Sequence, residues 1–134
     1  MAYSGYLIKV GNYTIPFSLI RAETYTVFKS VTDLDSYVDG NGYLHRNALE
    51  HIANKVEFET IPQLTNSQFA ELMTNLYNNM TNTLERKATV TCYIPEIDDY
   101  VEQDMYMPDI QPTLYYADAS VIKYNQIRLA FIGY

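Results

Sequence analysis

The segment LTNSQFAELMTNLYNNM, residues 64–80, restricts the fold more than any other part of the chain. Its apolar residues Phe69, Leu72, Met73, Leu76, Tyr77 and Met80 recur at i, i+3, i+4, i+7, i+8 and i+11. That spacing puts them on one side of a helix with 3.6 residues per turn. Thr65 followed by Gln68 has the form of a capping box, and Leu64 is placed to staple against Phe69. A helix over about 65–81 is predicted. Its opposite side carries Asn, Thr and Glu, so a single stripe needs cover. A sheet supplies a flat apolar surface for it.

The rest of the chain reads with a period of two. GYLIKVGNYTIP gives two short strands around a turn at Gly11-Asn12, and RAETYTVFKSVTD is a long β-rich run. In ANKVEFETIP, Val56, Phe58 and Thr60 alternate with Lys55, Glu57 and Glu59. Val90, Cys92 and Ile94 share one strand face near the middle of the chain. Ile127, Leu129 and Phe131 share another near the end, with Gln126, Arg128 and Ala130 opposite. Alternation of this kind marks half-buried strands. NALEHIAN reads as one or two helical turns. The expected class is α+β: an antiparallel β-sandwich or barrel-like sheet with one flanking amphipathic helix. One domain spans 1–134, with a long polar hairpin excursion over about 29–50.

The excursion contains SYVDGNGYLHRNALEH, residues 36–51, which has the oxygen-rich look of a calcium loop. Registers starting at Asp33, Asp35 and Asp39 all fail the EF-hand pattern. They place Tyr37 or Tyr43 where oxygen ligands belong, and the first and last also put Val38 or Leu44 where glycine must turn the loop. Asp39-Gly40 and Asn41-Gly42 instead supply residues that tolerate positive φ, as a tight hairpin requires.

Chemistry is scarce elsewhere. The single cysteine, Cys92, excludes an internal disulfide and sits in an apolar run, where it reads as a small core residue. His45 and His51 have five residues between them, a spacing that puts the two imidazoles on different faces of a helix and not on one metal-binding face. Asp98 and Asp99 would point to opposite faces of a regular strand. No glycine-rich phosphate loop occurs. No catalytic residue, cofactor or metal ligand is expected. The sequons at Asn12 and Asn79 have no secretory signal before them. No apolar run reaches 18 residues, so no membrane contact is expected.

The net charge is −7, with nine basic residues scattered singly. Direct nucleic-acid binding needs clustered cations, so none is expected. Residues 96–111, EIDDYVEQDMYMPDIQ, hold six acids and no base, which reads as a solvated hairpin or a surface that repels anions. Fourteen tyrosines without a tryptophan suit either half-wet strands or protein contact.

The stretch from Ser36 through the helix resembles small proteins encoded among the tail genes of long-tailed phages and prophages. The residues that carry the resemblance are Asp39, Gly42, Leu44, Arg46 and Asn47, then Val56, Phe58 and the Thr65–Gln68 cap. IKYNQIRLAFIGY looks like the closing strand of the same proteins. The resemblance implies a tail-tube, terminator, hub or baseplate architecture whose hairpin excursion reaches the next subunit of a ring. It implies a non-enzymatic virion component, made in the host bacterial cytoplasm, that contacts copies of itself and other tail proteins. DNA could pass a lumen lined by the acids of 96–111. The interface residues expected are Tyr37, Tyr43, His45, Arg46 and Asn47 in the excursion, and Tyr115, Tyr116, Tyr124 and Tyr134 near the end. Two alternatives stay open: a monomeric adaptor that binds through an exposed strand edge, and a small enzyme or carrier with a pocket under the helix that uses Cys92 or His51.

Overall fold

The helix forms where the stripe places it. In a computed structural model that describes residues 3–33 and 35–134, α1 spans Asn66–Asn78. The side chains of residues 29–33, 49, 51 and 52 lie outside the described set, and the candidate His51 is one of them. Thr65 caps α1: Gln68 N donates to its Oγ1 at 3.3 Å, and Thr65 N donates to Gln68 Oε1 at 3.1 Å. Leu72 and Leu76 are fully buried, and Phe69, Met73 and Met80 pack around them. The helix stops three residues short of the expected 81. Asn79 turns its amide back onto the carbonyl of Asn75 at 2.8 Å and so satisfies one of the last-turn acceptors. Tyr77 departs from the expected stripe and lies exposed at its edge.

The strands are β1 (Ile8–Val10), β2 (Tyr13–Thr14), β3 (Ile20–Asp33), β4 (Tyr37–Val38), β5 (Leu44–His45) and β6 (Ala48–Thr60), followed by β7 (Leu64–Thr65) before the helix. After it come β8 (Lys87–Ile94), β9 (Asp99–Tyr106), β10 (Leu114–Ala117), β11 (Ile122–Tyr124) and β12 (Arg128–Gly133). Seven form one antiparallel sheet in the order β2-β1-β8-β9-β12-β6-β3. Strands β10, β11 and β7 make a second sheet, and β4 and β5 a third. NALEHIAN is therefore not helical. It is the start of β6, because its pairing with β3, seen at Val31↔Ile52 and Asp33↔Ala48, outweighs a weak local helix preference.

Register puts the alternating residues on one face. Leu129 lies opposite Phe58 and Phe131 opposite Val56, while Val90 and Cys92 continue the same surface through β8. Leu72 and Leu76 of α1 close this face into one core. Each such side chain taken from water stabilises the fold by about 1.5–3 kcal/mol. Thr60 is fully buried with no loss, because its Oγ1 accepts from Ile127 N at 3.0 Å. Ala130 was expected on the wet face but is 3% exposed: on a central strand opposite Glu57, a methyl is covered by its longer neighbours.

The large sheet curls toward closure. Pairing of β3 with β6 shifts register between Arg21 and Thr26. There Thr24 Oγ1 donates to Arg21 O and accepts from Glu59 N at 2.8 Å, standing in for a backbone group in the ladder. A bulge bends its strand, and Tyr25, next along, reaches the other side of the sheet. Its hydroxyl donates to Tyr93 O at 2.8 Å and lies 3.3 Å from Leu7 O.

Candidate assembly surfaces at opposite ends of the sheet

Strand β6, one of the two longest strands, carries a separate appendage at each end. At its first end, β12 pairs with β6 only from Lys55 to Glu59. Residues 48–54, paired with β3, therefore extend past β12 by roughly 20 Å at about 3.3 Å per residue. Beyond them lies the β4–β5 hairpin. Its turn is closed by Asp39 N to Tyr43 O at 2.9 Å and Gly42 N to Asp39 O at 3.0 Å. Gly42 takes φ +87°, which a side chain resists, whereas Gly40 does not use its freedom. So one of the two Asx-Gly pairs, Asn41-Gly42, makes the turn with a positive-φ glycine.

Asp39 organises this tip. Its Oδ1 accepts from Asn41 N at 2.9 Å and Tyr43 N at 3.1 Å, and its Oδ2 meets His45 Nε2 at 2.7 Å. The imidazole first, then the backbone amides, hold the carboxyl below the usual carboxylate range. His45 stacks on Tyr37 with ring centroids 4.8 Å apart. Asn47 N donates to Ser36 Oγ at 3.3 Å. Tyr37, Val38, Tyr43 and Leu44 are 59–70% exposed, which is unusual for four large side chains on one short hairpin. Arg46 and Asn47 are exposed beside them.

At the other end, β6 leads through 61–63 into β7, which pairs with β11, and β11 with β10. The turn between β10 and β11 repeats the chemistry of the tip. Asp118 Oδ1 accepts from Ser120 N at 2.7 Å and Val121 N at 2.9 Å, and its Oδ2 accepts from Tyr116 Oη at 2.7 Å. Its carboxyl is likewise held low, the Tyr116 hydroxyl first among the causes. Every residue of β10 is exposed, with Leu114, Tyr115 and Tyr116 at 48–59%. Ile122 N donates to Asn66 Oδ1 at 3.2 Å and anchors the hairpin to the start of α1.

The expected interface residues thus fall into four places. Tyr37, Tyr43, His45, Arg46 and Asn47 lie together at the tip, and Tyr115 and Tyr116 lie together on β10. Tyr124 is half-buried, its ring 5.0 Å from that of Phe69, where it helps seat the helix. Tyr134 packs edge-on to Tyr106 at 5.6 Å with the Lys87 ammonium 4.8 Å above its ring, on the outer face of the large sheet. That face carries a further line of rings: Tyr3, Tyr93, Tyr100 and Tyr6, with successive centroids 5.5, 5.6 and 4.5 Å apart. Periodicity alone could have marked Tyr93 and Tyr100 as outward. Their coming together depends on β8–β9 register.

The acidic run divides. Glu96 and Asp98 sit in the β8–β9 turn, where Asp98 takes φ +48° and accepts from Tyr93 Oη. Residues 99–106 form β9 rather than a loop, with Glu102 and Asp104 on the outer face opposite Thr91 and Thr89. Asp109 pairs with Arg86 at 2.8 Å. Cys92 is fully buried on the core face, and burial pushes its thiol up to about 11. A shallow depression of about 210 Å³ beside the helix is lined by Tyr13, Leu19, Gln68 and Glu71 among others, away from Cys92. Among the described residues no group of three metal-ligating side chains comes together.

The sequence matches, over residues 1–134, a family described as "Family of unknown function (DUF6711)". No curated protein matches it. Two solved chains share its fold. One belongs to the tail of an empty gene transfer agent (GTA) particle of C6 symmetry, with a TM-score of 0.56 and 12% identity, covering 99% of this chain and 95% of that one. The other belongs to the virion of a native GTA particle, with a TM-score of 0.56 and 13% identity over the same shares. The tail-protein resemblance read from the stretch between Ser36 and the helix, and from the closing strand, thus extends to the fold. The chain belongs to the DUF6711 family.

Proposed function

We propose that this DUF6711 member is a non-enzymatic structural subunit of a phage-like tail or baseplate. The carrying observation is that nearly the whole chain, 99%, superposes on a subunit from a particle tail of six-fold symmetry. In this reading residues 1–134 are one domain and the building block of a ring. The tip residues Tyr37, Tyr43, His45, Arg46 and Asn47 and the β10 residues Tyr115 and Tyr116 contact neighbouring copies or other tail proteins. Arg46 is the anchor, because a guanidinium can grip a carboxylate with two parallel hydrogen bonds. Tyr124, packed on Phe69 beside β11, supports the β10 surface from within the subunit, and Tyr134, exposed on the outer sheet face, offers a further contact there. Glu102 and Asp104, on the outer sheet face, are suited to a passage wall that repels phosphates. The deeply buried, neutral Cys92 thiol favours a structural over a nucleophilic role. The protein resides in the virion after synthesis in the bacterial host.

Light scattering coupled to size exclusion, followed by electron microscopy of the purified protein, tests this. Closed rings or stacks of them are expected, and the protein should be recovered in purified particles. A monomer at every concentration, absent from particles, would overturn the reading in favour of a soluble adaptor.

A further inference from the structure

The two appendages share an unfinished look. The β4–β5 hairpin has two strands, and among the described residues neither pairs with a third. Isolated two-stranded hairpins are marginal in water. Among the described residues strand β10 pairs with β11 alone, is exposed on both faces, and has one backbone edge open. The two lie at opposite ends of β6, so the tip of a copy cannot reach its own β10. In copies stacked head to tail, each tip comes to the β10 of the next.

We infer that the β4–β5 tip of one copy docks on the open edge of β10 in a second copy of this chain, through Val38, Tyr43 and Leu44 against Leu114 and Tyr115. This pairing rests on the self-assembly proposed above and names its axial contact. It joins two incomplete sheets into one of five strands, β10-β11-β7 extended by β4 and β5. These five side chains, each leaving on the order of 100 Å² exposed, supply roughly 500 Å². With apolar atoms making up about 57% of an interface, one contact buries roughly 900 Å². That is below the range of a stable contact standing alone, about 1,200–2,000 Å², so the contact holds because every copy around a ring makes it at once. The contact is heterologous, so it repeats along an axis instead of closing on a pair.

Two exposed substitutions test it, Leu44→Asp at the tip and Leu114→Asp on β10. Near-normal melting temperatures for both would show that each folds. Mass is then read by light scattering for the unmodified chain, each variant, and their 1:1 mixture. The unmodified chain is expected to form stacks, and each variant alone to stop at the unstacked unit. The mixture should recover a doubled unit and no longer chain, because it holds one working tip and one working β10. Loss of stacking with Leu44→Asp alone would mean tip-to-tip pairing. Loss with Leu114→Asp alone would mean β10-to-β10 pairing. Either result, or stacking by both variants, overturns the inference while self-assembly stands. An unmodified chain that never leaves the monomer overturns both together.

Discussion

The Tyr25 hydroxyl donates to the Tyr93 carbonyl at 2.8 Å, across strands that are not neighbours in the sheet. Strand β3 is an edge of the seven-stranded sheet, and β8 is separated from it by β9, β12 and β6. One side chain therefore bridges the open side of a curled sheet. Burial is the main reason its phenol is held above the ordinary tyrosine range. Replacing Tyr25 with Phe should cost about 1 kcal/mol of stability, measured by chemical denaturation.

The same residue predicts an alkaline effect. A folded pKa raised above the unfolded one gives stability that is complete below the unfolded value, near pH 10, and is lost as pH rises beyond it. The unmodified protein should weaken above about pH 10. Tyr25→Phe should show a shallower decline, followed by denaturation at stepped pH. Equal slopes would remove Tyr25 from the account.

Gly133 lies against a polar clasp. Asn54 N and Nδ2 both donate to Gln103 Oε1, at 3.1 and 3.3 Å. A Cβ at 133 would come within 2.6 Å of that oxygen and 3.0 Å of Asn54 O. Gly133→Ala should cost about 1–3 kcal/mol. In a Gln103→Ala background the extra cost should shrink by more than about 0.5 kcal/mol, since the two sites share one contact. Strict additivity would refute the clasp.

Asp39 and Asp118 predict matched acid behaviour. Both carboxyls are held low, so their stabilising contributions are present above the ordinary Asp range and vanish as pH falls below about 4. The amide resonances of Asn41, Tyr43, Ser120 and Val121 should shift together in that window. Asp39→Asn should abolish the transition at Asn41 and Tyr43 while leaving Ser120 and Val121 unaffected.

Leu72 and Tyr77 separate the true buried stripe from its expected width. Leu72→Ala should cost about 2–5 kcal/mol, as for a filled core site. Tyr77→Ala, at an exposed edge, should cost under about 1 kcal/mol. Comparable losses would mean that the helix is seated differently.

Cys92 should resist alkylation at pH 8 until the protein unfolds, because its thiol is buried and pushed up to about 11. Labelling that outruns unfolding would contradict its place in the core.

Local pattern determined a good deal. The 3.6-residue stripe and the Thr65–Gln68 cap specified α1, and alternation at Val56, Phe58, Val90, Cys92, Leu129 and Phe131 specified the core face of the sheet. Those signals lie within a few residues of one another, which is why they can be read without a fold. Tertiary structure decided the rest. It drew NALEHIAN into β6, divided the acids of 96–111 between a turn and a strand face, and committed Tyr124 to Phe69 while leaving Tyr116 exposed. It alone brought Tyr25 to Tyr93, 68 residues away. Sheet curvature, strand register and the opposition of the two hairpins arise from pairing between distant segments, and no window of neighbouring residues carries that information.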